Sequence, residues 1–306
     1  MSQTGTGYSA AAEVGAVRTR RSAAQRAWIE LRKAPVTAWI GLLIIAFYLT
    51  LAVFAPLIAP YGEAEIFPEP FAPWSEKHLL GTDQIGRDIL SRLIFGAQNT
   101  IGIALATTLL AFLIGGSLGL IAAINRSYLD QFISRGVDVF MAIPSLIFAL
   151  MLLSIFGSSA WSLIIIIAIL DSTRVFRLTR AVSVNVAVMD YVEAARLRGE
   201  GLGWVMRREI LPNIMPPLVA EFGLRFCFVF LTIASLSFLG VGIQPPTADW
   251  GSMVRETAQL IQFSRFDLKA GITPLIPAAA IALITVGVNF VVDWFLQKSS
   301  GWRDGQ

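Results

Sequence analysis

Two pairs of opposite charge stand inside otherwise apolar runs: Glu221 with Arg225, four residues apart, and Asp171 with Arg174, three apart. On a helix both spacings put the partners on one face, where each pair can neutralise itself. A charge buried in a bilayer costs about 2.5–3.5 kcal/mol on insertion scales, so it persists only for a reason. Two readings stand for these pairs: an ion pair that locks helices, or the polar lining of a path for a hydrophilic solute. Asn289 and Asp293 raise the same question in the last apolar run. Other chemistry finds no support. The single histidine, His78, has no cysteine near it for a zinc site. The single cysteine, Cys227, allows no disulfide framework. None of Lys33, Lys77, Lys269 and Lys298 stands in a phosphate-cradling Gly-x-x-x-x-Gly-Lys-Ser/Thr loop. No acid–histidine series suggests a proton relay, and no nucleophile–base or metal cluster suggests an enzyme. The chain reads as a non-catalytic subunit, with no metal and no cofactor of its own, whose energy comes from another chain.

The longest polar, arginine-rich interruption of the second half, residues 190–217, is the element most suited to meet that chain. Asp190 is placed to N-cap a helix, with Glu193 three residues on completing a capping box. Ala194 and Ala195 are strong helix formers whose small side chains allow close approach. Gly199 follows Arg196 where a C′ glycine would end the helix. A second helix is expected from Leu202 to about Leu211, because Pro212 disfavours helical geometry in the residue before it. The result is a two-helix knuckle between membrane spans.

Glu193-Ala194-Ala195, then Gly199, then Ile210-Leu211-Pro212 resembles the coupling loop of binding-protein-dependent ABC import permeases. The broad pattern has an aliphatic residue where this chain has Glu209, with Ile210 beside it, a shift common in the peptide branch. Leu80-Gly81-Thr82-Asp83 with residues 86–92, and residues 237–242 with Trp250-Gly251, also resemble the second permease of dipeptide, oligopeptide and nickel importers. The resemblance covers about residues 36–297 and implies an all-α, polytopic bundle of about six transmembrane helices with the type I importer fold. It also implies the partners: a second, homologous permease, two ATPase subunits that use ATP and magnesium, and an extracytoplasmic solute-binding protein. ATPase coupling would then fall to Asp190, Glu193, Ala194, Ala195, Arg196, Gly199, Leu211 and Pro212, with closure of the ATPases moving residues 190–211 as a lever.

Composition supports the membrane class. Of 306 residues 55% are hydrophobic and 15% charged, and mean hydropathy is +0.67; a soluble domain carries about 25% charged residues. Spans are expected near residues 36–58, 100–124, 137–156 with a kink at Pro144, 161–178, 215–241 and 272–296. The fourth has an apolar run ending at Leu170, too short to cross alone, so its helix must continue through Asp171 and Arg174. Gly115, Gly116 and Gly119 give the second span a seam for close packing. Residues 59–96 are expected as an extracytoplasmic loop, within which Ile85, Ile89, Leu90 and Leu93 could instead form an interfacial amphipathic helix. Asp249 could cap a helix in the last outer loop.

With both termini inside, 17 of the 24 Lys and Arg residues face the cytosol and six face outward, as the positive-inside rule prefers. The chain then divides into a basic cytoplasmic tail (1–35), the first span and its outer loop (36–99), the permease core (100–297, with the coupling element at 190–212) and a short tail (298–306). The N-terminal basic cluster, Arg18 to Lys33, suits anionic lipid better than a cleaved targeting peptide. Because the positives follow topology, the net charge of +3 does not argue for nucleic acid. The expected home is the bacterial inner membrane. The rival class is a gradient-driven secondary transporter or channel.

Overall fold

The structure is a computed structural model that describes Arg32 and residues 34–124 and 128–301. Most of the basic tail (residues 1–31 and Lys33), Arg126 and the last five residues lie outside the described residues. Helix α1 (Val36–Val53) and the short α2 (Ala55–Ile58) open the fold. They are followed by α3 (Ile89–Ile124), α4 (Tyr128–Ala142), α5 (Ser145–Phe156), α6 (Ala160–Ala187) and α7 (Asp190–Leu197). Then come α8 (Leu202–Phe238), α9 (Trp250–Thr257), α10 (Leu268–Ile272) and α11 (Leu275–Gly301). The described residues form an all-α bundle, with two isolated β-bridges, Ile66 with Arg87 and Thr82 with Asp88, as its extended pairing.

Among the described residues four helical stretches are long and apolar enough to cross a bilayer: α1, α3, α8 and residues 268–298. The third expected span differs from the reading of the sequence. At Pro144 the chain does not kink but turns through 90° between α4 and α5. Proline lacks the N–H that would continue the ladder and drives the residue before it away from helical geometry. Helix α6 runs unbroken past Leu170 through Asp171 and Arg174, as the short apolar run required.

α3 and α6 run parallel and in close contact because glycine allows it. A Cβ on Gly115 would collide with the Ser172 carbonyl, and one on Gly119 would lie 2.8 Å from Thr179 Cβ. The main core gathers around Trp250, which is fully buried. Its Nε1 donates to the Leu93 carbonyl at 2.9 Å, and Tyr48 and Phe230 meet its ring edge-on. Gly96 sits under the same indole, where a Cβ would come within 2.8 Å of it.

The outer loop is shorter than expected, because α3 begins at Ile89. Nor do residues 85–93 form a free amphipathic helix: Ile89 is buried in the core while Ile85 is exposed ahead of the helix. What organises this region is a buried knot of charge. Asp83 Oδ2 receives Arg87 Nε at 2.7 Å and Arg92 Nη1 at 2.6 Å. Glu256 Oε2 receives Arg87 Nη2 at 3.0 Å and the same Arg92 Nη1 at 2.6 Å. Two carboxylates and two guanidiniums balance, which is how such groups survive burial. Beside them Asp88 pairs with His78 Nδ1 at 2.9 Å and accepts from the Ser91 backbone and hydroxyl. Asp249 caps α9 as read from the sequence, accepting from the Gly251 and Ser252 amides. Burial pushes its carboxyl up from the ordinary value, and the hydrogen bonds from Ser252 and Gly251 oppose that shift.

Candidate coupling element and intramembrane charge cluster

Helix α7 begins one residue earlier than a cap at Asp190 requires. Met189 is its N-cap residue, with no side-chain bond, so Asp190 and Glu193 form no capping box. They lie instead in the first helical turn, where acidic charge complements the positive end of the helix dipole. The other end matches the reading closely. Gly199 adopts φ +84°, the Gly199 amide donates to Arg196 O at 2.9 Å and the Glu200 amide to Ala195 O at 3.2 Å. This paired closure is a Schellman stop, which only glycine adopts without strain. An added Cβ at Gly199 would meet nothing within 4 Å, so the glycine is required by the backbone and not by crowding.

The second half of the knuckle is not a separate helix. From Leu202 the chain runs without a stop to Phe238, and Pro212 is inside it. Residues Met206–Ile210 form a π-helical turn, and Pro212 falls in the first turn of the α-helical stretch that follows. The wider turn takes up the missing proline donor and its ring, and Asn213 Nδ2 donates to the Glu209 carbonyl at 2.6 Å. Leu211 and Pro212 are therefore the root of the membrane helix that ends at Phe238. The element is one short helix, α7, hinged at Gly199 onto a rod 37 residues long.

The root is packed from below the bundle. Val192 and Ala195 of α7 join Val205, Ile210, Ile214 and Leu218 in a second apolar core, fully shielded at its centre. Leu120, Ile124, Leu178 and Val182 close over it from α3 and α6. Ala194, Arg196 and Glu193 face outward with Leu197, which is 82% exposed. Val188, Met189, Tyr191, Leu202 and Trp204 are also exposed, so the outer surface of the knuckle is apolar beyond what a solvated loop needs.

The two sequence-predicted ion pairs form, and the structure merges them. Arg225 Nε lies 2.6 Å from Glu221 Oε1 on α8. Arg225 Nη1 also lies 3.6 Å from Asp171 Oδ1 on α6, and Arg174 Nη1 lies 3.7 Å from the same oxygen. The Arg225 guanidinium sits 4.7 Å above the Phe228 ring, a cation–π contact. The four charges sum to zero and join α6 to α8, the helices on either side of α7. Sequence spacing could find each intrahelical pair; the link between them depends on packing. Arg180 is held by both oxygens of Asp130 at 2.6 Å. Asn289 turns back on its own helix, donating to the Thr285 carbonyl.

An apolar bundle with a short helix packed at one end and a neutral charge cluster is the build of a membrane permease subunit. The chain belongs to the family of binding-protein-dependent transport system inner membrane components, whose model matches residues 115–300. Residues 22–75 match the N-terminal transmembrane domain of oligopeptide transport permease C. Relatives include the di/tripeptide transport system permease DppC of Pseudomonas aeruginosa UCBPP-PA14, 36% identical over 85% of this chain and 88% of that one. The dipeptide transport system permease DppC of Escherichia coli K12 is 38% identical over 84% and 86%. Among solved structures, the inward-facing MetNI methionine ABC transporter matches with TM-score 0.51 and 16% identity over 68% of this chain and 97% of that one, a likeness of fold. The chain is thus a permease subunit of an ATP-driven ABC importer with the type I permease fold. Among the described residues no group of His, Cys, Asp and Glu could hold a metal ion.

Proposed function

We propose that this chain forms half of a peptide translocation pathway and couples it to separate ATPase subunits through α7. The observation that carries the reading is the construction of α7. It is capped by Gly199, rooted in its own core, and continuous through one rod with the outer end of the bundle. The exposed apolar surface around Leu197 and Tyr191 supports docking on a partner. Closure of the ATPase dimer would push α7, and the cluster of Asp171, Arg174, Glu221 and Arg225 would make α6 and α8 follow together, tilting the bundle between inward- and outward-facing states. In this reading the four charges are a lock between helices.

Peptides are proposed as cargo because the relatives named above are dipeptide and di/tripeptide permeases. The complete machine would hold this chain, a second homologous permease, two ATPases that supply ATP and magnesium chemistry, and an external solute-binding protein. This chain would contribute no catalytic group to hydrolysis, and both its termini would be cytosolic. Gly199→Val and Glu193→Lys test the lever in the reconstituted complex. Valine pays about 1–2 kcal/mol for a left-handed backbone, and lysine reverses the charge in the first turn of α7. Both variants are expected to lower ATP-driven dipeptide uptake at least tenfold with the bundle intact. Wild-type coupling in both would overturn the reading.

A further inference from the structure

Between α1, α3, α8 and α11 lies a groove of about 350 Å³. The four helices ring it: α1 touches α3 and α11, and α8 touches the same two. Gly41 of α1 packs on Gly287, Phe290 and Val291 of α11, and Gly287 packs on Ile44. The two helices are therefore antiparallel, so Ile45 and Leu49 line one end of the groove near Ile284, and Trp294 and Phe295 line the other.

The walls restrict what can fill it. Every lining residue is apolar, so water would find no partners there. Left empty, the walls would forfeit dispersion contacts. A neighbouring helix, about 10–12 Å across with its side chains, cannot enter between four helices already in contact. A single hydrocarbon chain can, because the rim is open to the bilayer: Leu105 on α3 is 38% exposed and Val219 on α8 is 44% exposed. Length agrees as well. Ile284 to Phe295 is about 16 Å of helix, and half of a hydrocarbon layer about 30 Å thick is about 15 Å. The groove matches the depth of one leaflet.

Its Trp294 end is chemically distinct. Leu296 and Gln297 border a second pocket together with Met189 and Asn213, so this is the end of the bundle that carries α7. Lys298 follows Trp294 by four residues, on the same helical face, and is exposed. An indole at head-group level beside a cation is suited to a lipid phosphate. Asp293 is also exposed, but it lies about 140° around α11 from Lys298.

We propose that the groove holds one acyl chain of an anionic phospholipid from the leaflet on the α7 side, with the phosphate at Lys298 and Trp294. The chain completes the packing of α8, the rod that continues into the knuckle, against α1 and α11. The proposal is independent of which solute the importer carries.

The test uses the full complex in proteoliposomes containing phosphatidylglycerol or phosphatidylcholine with a photoactivatable diazirine midway along one acyl chain. After illumination, labelled residues are mapped by mass spectrometry. Residues 219–226 and 284–295 are expected to take at least fivefold more phosphatidylglycerol label than the exposed surface of α3 around Leu113. Leu105→Trp combined with Val219→Trp, which fills the groove, should lower that label at least fivefold, whereas Leu113→Trp should leave it unchanged. The preference for phosphatidylglycerol over phosphatidylcholine in the groove is expected to be about fivefold, the worth of one surface cation, and to vanish in Lys298→Gln. Lys298→Gln and the wild-type map remain decisive even where the double tryptophan variant fails to assemble. Groove label no higher than around Leu113, label that survives the double variant, or no preference for the anionic lipid would overturn the proposal. Cross-linking of Leu105→Cys to another subunit would identify a protein occupant and overturn it too.

Discussion

Replacing Glu256 by alanine is expected to destabilise the end of the bundle around α9 by about 3–5 kcal/mol, the usual cost of leaving a buried charge without its partner. Glu256 receives Arg87 and Arg92, both buried, and Asp83 alone would then face two guanidiniums. Nor can the knot relax cheaply. Arg92 is 1% exposed and sits at the start of α3, while Glu256 sits on α9 next to fully buried Trp250. Loss of the knot should free the loop before α3 from α9. Thermal unfolding of the purified complex and protease sensitivity of residues 59–88 would show it. Glu256→Gln is expected to cost less, because the amide oxygen still accepts one hydrogen bond. Wild-type stability in Glu256→Ala would show that the knot is not closed as described.

Arg225→Leu is expected to have an effect of the same size, deeper in the membrane. Asp171 and Glu221 would keep one cation between them, Arg174 at 3.7 Å from Asp171 and partly exposed. An uncompensated carboxylate near the middle of the bundle again costs about 3–5 kcal/mol. The informative companion is the neutral double variant Glu221→Gln with Arg225→Gln, which leaves the Asp171–Arg174 pair intact. If the cluster only locks α6 to α8, the double variant should assemble and transport near the wild-type rate where Arg225→Leu does neither. Assembly with abolished uptake would instead mean that these charges line the path.

How far the sequence reached depends on the range of the interaction involved. Helix existence followed from apolar runs, and Gly199 followed from a local rule about one backbone angle, so both were legible. The Asp171–Arg174 and Glu221–Arg225 pairs were legible because helical spacing fixes them. Their fusion was not, since Arg225 and Asp171 are 54 positions apart and meet only through the contact of α6 with α8. The outer knot shows the same limit. Asp83 and Arg87 are spaced like a helical pair, yet they belong to a bridged loop, and nothing near them in the chain announces Glu256. Proline misled in both directions. Pro212 was expected to end a helix and is absorbed by a π turn, whereas Pro144 was expected to bend one and turns the chain through a right angle. A proline removes the same donor at both places; whether neighbouring packing can replace it decides the outcome. Met189 in place of Asp190 as the cap is a one-residue shift of the kind local signals do not resolve.

Mechanical transmission through α7 is most directly examined by chemical cross-linking at Leu197, whose side chain is exposed. Leu197→Cys, introduced into the assembled complex, should form a short-range cross-link to an ATP-binding subunit from the cytosolic side. The yield should change when nucleotide closes that subunit, and it should drop when Gly199→Val is added. A protein that continues ATP-driven uptake while Leu197→Cys reaches no ATP-binding subunit in any nucleotide state, or is labelled only from outside the cell, would contradict the account.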